Sequence, residues 1–479
     1  ELDRRQRQTC IRDRRYTPSP TGTQGVEGHQ RLYRRRPDSY QSEYSVDYST
    51  EVAGLALRIR GRADGFDASV QLVEEIKTCR VNPAVIPDAV VQEHLAQGRL
   101  YAAIIADALS LEAVTVRLTW LQLDEDRQYP LEQHYSALEL QNFLQQTLET
   151  YGNWLRSVFD RQEDRNASVA QSAFPFGEFR RGQRAMAELV YKCVDQAGQL
   201  LLEAPTGMGK TAATLFPVLK AQAQGKHDQI IFSTARTAGK RAAQDTLGHF
   251  RDQGMSVSAL TVTAKDSICF SPGHACHPDD CTFAHAYYDK LPAAREEAVA
   301  LQSLGREAVE GVARKHGVCP YQLTLDLARW VDVVIADVHY VFSFSALLNE
   351  VSGESGVRTT VLLDEAHNLP SRARGMYRAS LSKAAFLQSR KGLPQVLKRP
   401  FDRVNRSLLG IQKREWDEPF AHVLAEVPAG MTDALQQFVA ELGEQLALEP
   451  GLVGRFPLIL ERYFEAVSYT HLTLPTIQL

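Results

Sequence analysis

An apolar run, LLLEA, leads into Pro205-Thr206-Gly207-Met208-Gly209-Lys210-Thr211. Gly207 and Gly209 permit backbone angles that turn successive N–H groups toward an anion. The helix starting behind them adds its positive end. A lysine placed here reaches β- and γ-phosphates, and the next hydroxyl ligates Mg²⁺. Lys210 and Thr211 occupy those places. The motif opens on Ala204 instead of glycine, which the chemistry tolerates because the two later glycines carry the unusual angles. Residues 204–211 are therefore expected to bind ATP. A chance glycine-rich turn is the weaker alternative, because strand, loop and helix signals follow in order.

A phosphate loop needs an acid that holds the metal and polarises water. TTVLLDEAHNL supplies Asp364-Glu365-Ala366-His367 at the end of an apolar strand. Asp364 is expected to hold Mg²⁺, mostly through water, and Glu365 to orient or deprotonate the attacking water. His367 would couple this site to a nucleic-acid site.

Three of the seven cysteines, Cys269, Cys276 and Cys281, fall inside thirteen residues, with His274 and His277 between them. A closed site needs a fourth ligand, and Cys319 is available downstream. Thiolates suit zinc or an iron–sulfur cluster. The spacing departs from the close C-x₂₋₄-C pairs of zinc fingers, since a long insert separates Cys281 from Cys319. Buried free thiols fit so polar a loop poorly. Cys10, Cys79 and Cys193 are read as ordinary residues.

A second chemistry stands near the N-terminus. Asp64 follows an alternating stretch, and Glu75-Ile76-Lys77 closes the next one, with Glu75 and Lys77 on one face of a pleated strand. Two carboxylates on adjacent strands bind one or two Mg²⁺ or Mn²⁺ ions, and a nearby lysine positions or activates water for phosphodiester attack. Gln97 and Tyr101 follow on a helical stretch, and His29 lies upstream. Each residue has an ordinary reading, as solvated strand, helix-face stack or structural histidine. Asp67 and Glu74 are neighbours easily confused with the true ligands.

The elements that must position these groups divide the chain. Alternation at 55–66 and 114–123, a short strand at 70–77, a helix between them and a long apolar helical stripe from Leu140 to Val158 predict a mixed α/β domain over 1–164. A polar linker is expected at 165–173. From 174 to 370 the strands QLLLEA, QIIFSTA, VDVVIAD and TTVLLDEA alternate with helices, which predicts a parallel sheet. The cysteine stretch, about 265–325, interrupts it. Residues 371–467 read as helical, and 468–479 resemble translated adapter sequence and are set aside as a non-native tail.

At 479 residues, 44% hydrophobic and 23% charged, the sequence has material for two to four globular domains. A net charge of −4 excludes a polybasic protein, so nucleic-acid contacts must come from local patches. Few, odd-numbered cysteines suit a reducing compartment. No apolar run approaches the roughly 20 residues that span a bilayer, and the first residues lack an apolar signal core. A cytoplasmic protein without membrane partners is expected.

EAPTGMGKT and DEAHN together resemble the superfamily 2 helicases of the XPD/DinG type, over about 174–467. FRRGQ looks like their adenine-recognition element, with Gln183 reading the base. FSTART resembles their segment that contacts single-stranded DNA, which implies roles for Arg236 and Thr237. The family carries a four-cysteine [4Fe–4S] insertion whose last cysteine reads Cys-Pro-Tyr, as Cys319 does. The resemblance thus implies a cluster on Cys269, Cys276, Cys281 and Cys319, and a helical arch after residue 370. GRAD, EEIKT and QGRLY resemble the RecB-like branch of the PD-(D/E)xK nucleases, and GVEGHQ offers His29 as that branch's metal-binding histidine.

The resemblances imply an ATP-dependent, 5′–3′ DNA helicase fused to a metal-dependent nuclease. Its partner would be DNA, single-stranded or with single-stranded tails, in repair or processing. No second motor domain is visible after His367, so this chain is expected to be a fragment that does not unwind DNA alone. Two alternatives are a DNA-binding ATPase with a degenerate, non-cleaving nuclease block, and a zinc-stabilised RNA-dependent ATPase.

Overall fold

The computed structural model describes residues 22–79, 82–86, 88–123, 125–205, 207–274, 276, 280–342, 356–376, 383–415 and 429–448. These divide into two compact units, one holding 22–157 and 383–448, the other 158–376.

In the first unit, α1 (Gly22–Tyr33) precedes β1 (Tyr40–Val52), β2 (Leu55–Asp67) and β3 (Leu72–Cys79). Then come α2 (Asp88–Leu109), β4 (Ala113–Gln122), β5 (Arg127–Ser136) and α3 (Ala137–Gln171), whose residues from Val158 onward belong to the second unit. The strands form one sheet in the order β1-β2-β3-β4-β5. Only β3 and β4 are parallel. A parallel pair needs a long crossover, and α2 supplies it.

β3 is buried throughout Leu72–Ile76 because both its faces are covered. Ile76 packs with Leu32 of α1 and Leu121, while Val73 joins the core that α2 fills with Ala102 and Ile105. Near-continuous burial explains why this strand lacks clean alternation. β2 pairs with β3 only over Gly65–Asp67, so Leu55–Ala63 pairs with β1 alone as a two-stranded ribbon.

Two edge strands differ from the sequence expectation. β1 (YQSEYSVDYSTEV) and β5 (RQYPLEQHYS) are rich in Ser, Glu and Gln on their solvent faces and show no apolar run. The expected linker also differs. Residues 165–171 are the last turns of α3. Ser136 and Glu139 form a reciprocal cap at the start of α3, each side chain accepting from the other's backbone N–H (2.8 and 3.3 Å). Its polar tail is fastened at the far end. Arg165 is buried and donates to Asp332 at 2.5 Å, and Val169 is buried in the core of the second unit.

Glu74 is 0% exposed. It receives two hydrogen bonds from Arg36, at 2.8 and 2.6 Å, and one from Thr119. Removing one partner of such a pair strands a buried charge. Arg36→Ala is therefore expected to cost roughly 3–5 kcal/mol in a denaturant titration; a loss near zero would mean that Glu74 is not held as an ion.

In the second unit, α4 (Gln183–Asp195) and α5 (Lys210–Ala223) precede β6 (Gln229–Ser233), α6 (Thr237–Asp252) and β7 (Ala259–Thr261). α7 (Lys265–Ile268), α8 (Tyr287–Val299), β8 (Ser303–Leu304), α9 (Arg306–His316) and α10 (Pro320–Leu327) follow. β9 (Val333–Ala336), β10 (Thr359–Leu363) and α11 (Leu369–Met376) complete it. The sheet is parallel throughout, in the order β10-β6-β9-β7-β8. Of its inner strands, β6 and β9 are buried along their length, as two-sided burial requires.

QLLLEA is not a strand here. Among the described residues nothing pairs with 199–204, and Leu201 is 87% exposed. Apolarity favours a strand only where a neighbouring strand takes up its N–H and C=O groups.

The described part of the C-terminal stretch is helical: α12 (Lys383–Ser389), α13 (Gln395–Glu415) and α14 (Ala429–Leu448). Phe386 stacks on Phe401 with ring centres 3.9 Å apart, and Phe438 meets both edge-on. The N-terminal 21 residues, the expected tail at 468–479, Cys10, Thr206 and His277 lie outside the described residues.

Candidate active sites

The phosphate loop has the backbone its glycines were expected to allow. Gly207 and Gly209 lie at φ +80° and +86°, and α5 starts directly behind them at Lys210 and Thr211. The Lys210 ammonium donates to the carbonyls of Ala204 (3.1 Å) and Pro205 (3.4 Å). Gln183 sits buried behind the loop. Its Nε2 donates to the Gly209 carbonyl at 3.2 Å, and its Oε1 accepts from the Arg180 N–H at 3.0 Å. Arg180 in turn donates to the Gly207 carbonyl at 2.7 Å. Thus Gln183 and Arg180 brace the loop from one side. A side chain at Gly209 would strike Gln183, its Cβ falling 2.6 Å from Nε2.

Asp364 stands at the end of β10, its N–H continuing the ladder to the Ser233 carbonyl at 2.9 Å. Its carboxylate accepts from the Thr234 hydroxyl at 3.4 Å. Gly239, in the first turn of α6, has room for no side chain, because a Cβ would press on Thr234 and Asp364. That requirement was invisible in the sequence, where Gly239 reads as an ordinary helix glycine. Glu365 adopts φ +55°, ψ 43°, a left-handed conformation uncommon for a residue with a Cβ and costing of order 1 kcal/mol or more. His367 is 68% exposed in its side chain and lies 3.4 Å from the Glu365 carboxylate.

Arg236 caps α6 and Thr237 begins it; the Arg236 N–H donates to the Thr234 hydroxyl at 3.4 Å. Arg372 of α11 donates to the Ala235 carbonyl at 3.4 Å and stands 3.9 Å from Asp337. Nothing in its local sequence singled out Arg372. The structure therefore gathers Thr234, Arg236, Gly239, Asp364 and Arg372 at the carboxyl end of the parallel sheet, where open α/β folds place ligands.

In the first unit the expected metal residues lie around the point where β2 and β3 part, and among the described residues no three of them close on one coordination point. Asp64 is largely buried, with Oδ2 accepting from the Ile76 N–H at 2.7 Å and Oδ1 3.5 Å from His29 Nδ1. Lys77 contacts the Glu75 carboxylate and lies 3.4 Å from Gln97 Oε1. Tyr101 packs on Gly61, where a Cβ would meet its ring and hydroxyl at 3.0 Å. Two groups of contacts thus form here: His29 of α1 with Asp64 of β2, and Lys77 of β3 with Glu75 and with Gln97 of α2. Asp67 and Glu74 are spent elsewhere. Asp67 accepts from Ser69 and Ser39, which hold its carboxyl below the usual range against burial; Glu74 belongs to Arg36.

Two residues at this place escaped the sequence. Tyr33 meets His29 edge-on; burial, then Asp64, Glu43, Glu75 and Glu74, push its hydroxyl well above the usual range. Glu43 lies on β1 at φ +52° and pairs with Arg62 at 3.0 Å. The i, i+4 spacing of His29 and Tyr33 was the available signal for the first; Glu43 offered none.

The cysteine stretch is pinned by its aromatic residues: Phe270 meets Phe283 at 5.0 Å, and Arg314 of α9 lies 4.6 Å over the Phe270 ring. Cys319 caps α10. Burial pushes its thiol up to about 11, and the charges of Cys276 and Cys269 push the same way. Cys319 thus lies within electrostatic range of Cys276 and of Cys269, and thiols are donors that suit a soft cation. Among the described residues, however, no three His, Cys, Asp or Glu side chains close on one coordination point. His274 faces Asp280 at 3.5 Å.

Beneath this stretch the Tyr287 hydroxyl donates to buried Asp326 at 2.6 Å. Burial pushes the Asp326 carboxyl up to about 6. A raised carboxyl pKa binds its proton more tightly in the fold, so stability present at low pH is lost as pH rises through about 6, by at most roughly 3 kcal/mol. Asp326→Asn keeps an acceptor for Tyr287 and is expected to gain melting temperature relative to the parent at pH 8 but not at pH 4.5. Parallel curves for the two proteins would contradict it.

Residues 254–386 match the DEAD_2 family, a segment that includes the four cysteines and the acid motif. The chain is 21% identical over 224 residues to the general transcription and DNA repair factor IIH helicase subunit XPD of Dictyostelium discoideum, covering 41% of this chain and 29% of that protein. It is 22% identical over 246 residues to the human regulator of telomere elongation helicase 1, covering 41% of this chain and 20% of that one. The chain thus spans less than a third of the curated relatives it matches. Among solved structures, one titled Truncated XPD aligns at TM-score 0.41 and 15% identity, over 60% of this chain and 81% of that one. Another, titled XPD_Helicase, gives 0.39 and 16%, over 61% and 51%. The chain is thus similar to XPD-type helicases, with the family match on residues 254–386.

Proposed function

We propose that the second unit is the nucleotide-binding part of an ATP-dependent DNA helicase of the XPD/DinG type, and that the first unit is a metal-dependent nuclease. The observation that carries the motor reading is the loop at Gly207–Thr211, braced by Gln183 and Arg180, together with Asp364 at the end of β10. Lys210 would leave the Ala204 carbonyl for the β/γ-phosphates, and Thr211 and Asp364 would hold Mg²⁺. Glu365 would position the attacking water.

Arg236 and Thr237 would meet a single DNA strand, travelled 5′ to 3′, in repair or processing within the cytoplasm, and His367 would couple that site to the nucleotide site. In the first unit Asp64, Glu75 and His29 would hold Mg²⁺ or Mn²⁺, and Lys77 would position the water. Cys269, Cys276, Cys281 and Cys319 would hold a [4Fe–4S] cluster that stiffens a segment with little core of its own.

ATP hydrolysis by the longest form of the protein that carries this chain tests the motor reading. Stimulation by single-stranded DNA and not by RNA of the same length is expected. Stimulation by RNA alone would favour an RNA-dependent ATPase instead.

A further inference from the structure

We propose that the exposed arginine file of β2, Arg58, Arg60 and Arg62, is a binding track for the phosphodiester backbone of a single DNA strand, and that it leads that strand to Asp64. The inference rests on the nuclease reading of Asp64, Glu75 and Lys77 and adds how substrate reaches them.

The geometry comes from strand periodicity. Residues 58, 60 and 62 are alternate positions of the ribbon and share its solvent face, their side chains 55–67% exposed. Asp64 is the next alternate position, at the point where β3 joins and burial begins. Adjacent rungs are about 6.6–6.8 Å apart, two residues of strand rise. One file of cations meets one file of phosphates.

The arginines are occupied but not committed. Asp47 serves both Arg58 (2.8 Å) and Arg60 (3.3 Å), and Glu43 serves Arg62. Three guanidiniums thus share two carboxylates. Exposed pairs of this kind hold weakly against solvent and salt, so a strand of phosphates displaces them readily. Guanidinium is also the side chain best shaped for phosphate.

The test is the salt dependence of binding to fluorescent oligo-dT, using the full chain without added divalent metal. Each phosphate contact on a single strand contributes about 0.7 to the slope of log K against log salt, so Arg58→Ala/Arg60→Ala/Arg62→Ala is expected to lower it by about 2. Asp47→Asn, which frees two arginines, is expected to tighten binding. An unchanged slope in the triple variant, or weaker binding by Asp47→Asn in a folded protein, overturns the track. Cleavage of the same strand with Mn²⁺ is scored separately: a track that behaves as expected in a protein that cuts nothing supports the binding site and removes the nuclease reading.

Discussion

Lys77→Ala is expected to lower metal-dependent cleavage of single-stranded DNA by roughly a thousandfold, within the range that a positioned proton-transfer group supplies. The structure gives the reason. Lys77 is held against Glu75 on one face of β3 and against Gln97 of α2, so its ammonium stands beside the carboxylate that would hold the metal. Asp64→Asn should be as damaging for a different cause. Its oxygens face both the Ile76 N–H and His29, and the amide would remove a charge that the cation requires. Glu74→Gln should show the opposite pattern, a loss of stability without a specific loss of cleavage, because Glu74 belongs to Arg36. Equal time courses for parent and Lys77→Ala with Mg²⁺ and Mn²⁺ would leave a DNA-binding block that does not cut.

Cys319→Ser is expected to remove nearly all bound iron, against roughly four irons per chain in the parent, together with the visible absorption of a cluster. Burial raises the Cys319 thiol, with Cys276 and Cys269 adding to the shift. Such crowding costs least when a cation neutralises the thiols. The substitution should also speed proteolysis within 265–327, where short helices surround the loop. Stoichiometric zinc and no iron in the parent would instead support a zinc-held segment.

Much of the candidate chemistry was legible because motifs fix local backbone. Gly207, Gly209 and Lys210 needed only adjacent residues to define a loop, and strand parity alone put Glu75 and Lys77 together. The edges were illegible for the same reason. β1 and β5 present polar solvent faces and are defined by their partners rather than by their own residues. QLLLEA reads as a strand but lacks one alongside it. The polar end of α3 read as a linker, because neither Arg165 reaching Asp332 nor Val169 entering a core shows in a local window. Gly239, Glu43 and Arg372 matter through contacts distant in sequence, so no spacing rule finds them.

The central claim is that residues 204–211 and Asp364 form a working nucleotide site. Equilibrium titration of the chain with a fluorescent ATP analogue and Mg²⁺ tests it most directly. One saturable site per chain is expected, lost in Lys210→Ala and untouched by Asp64→Asn. A chain that binds no nucleotide, or one that binds it equally well after Lys210→Ala, would contradict the account.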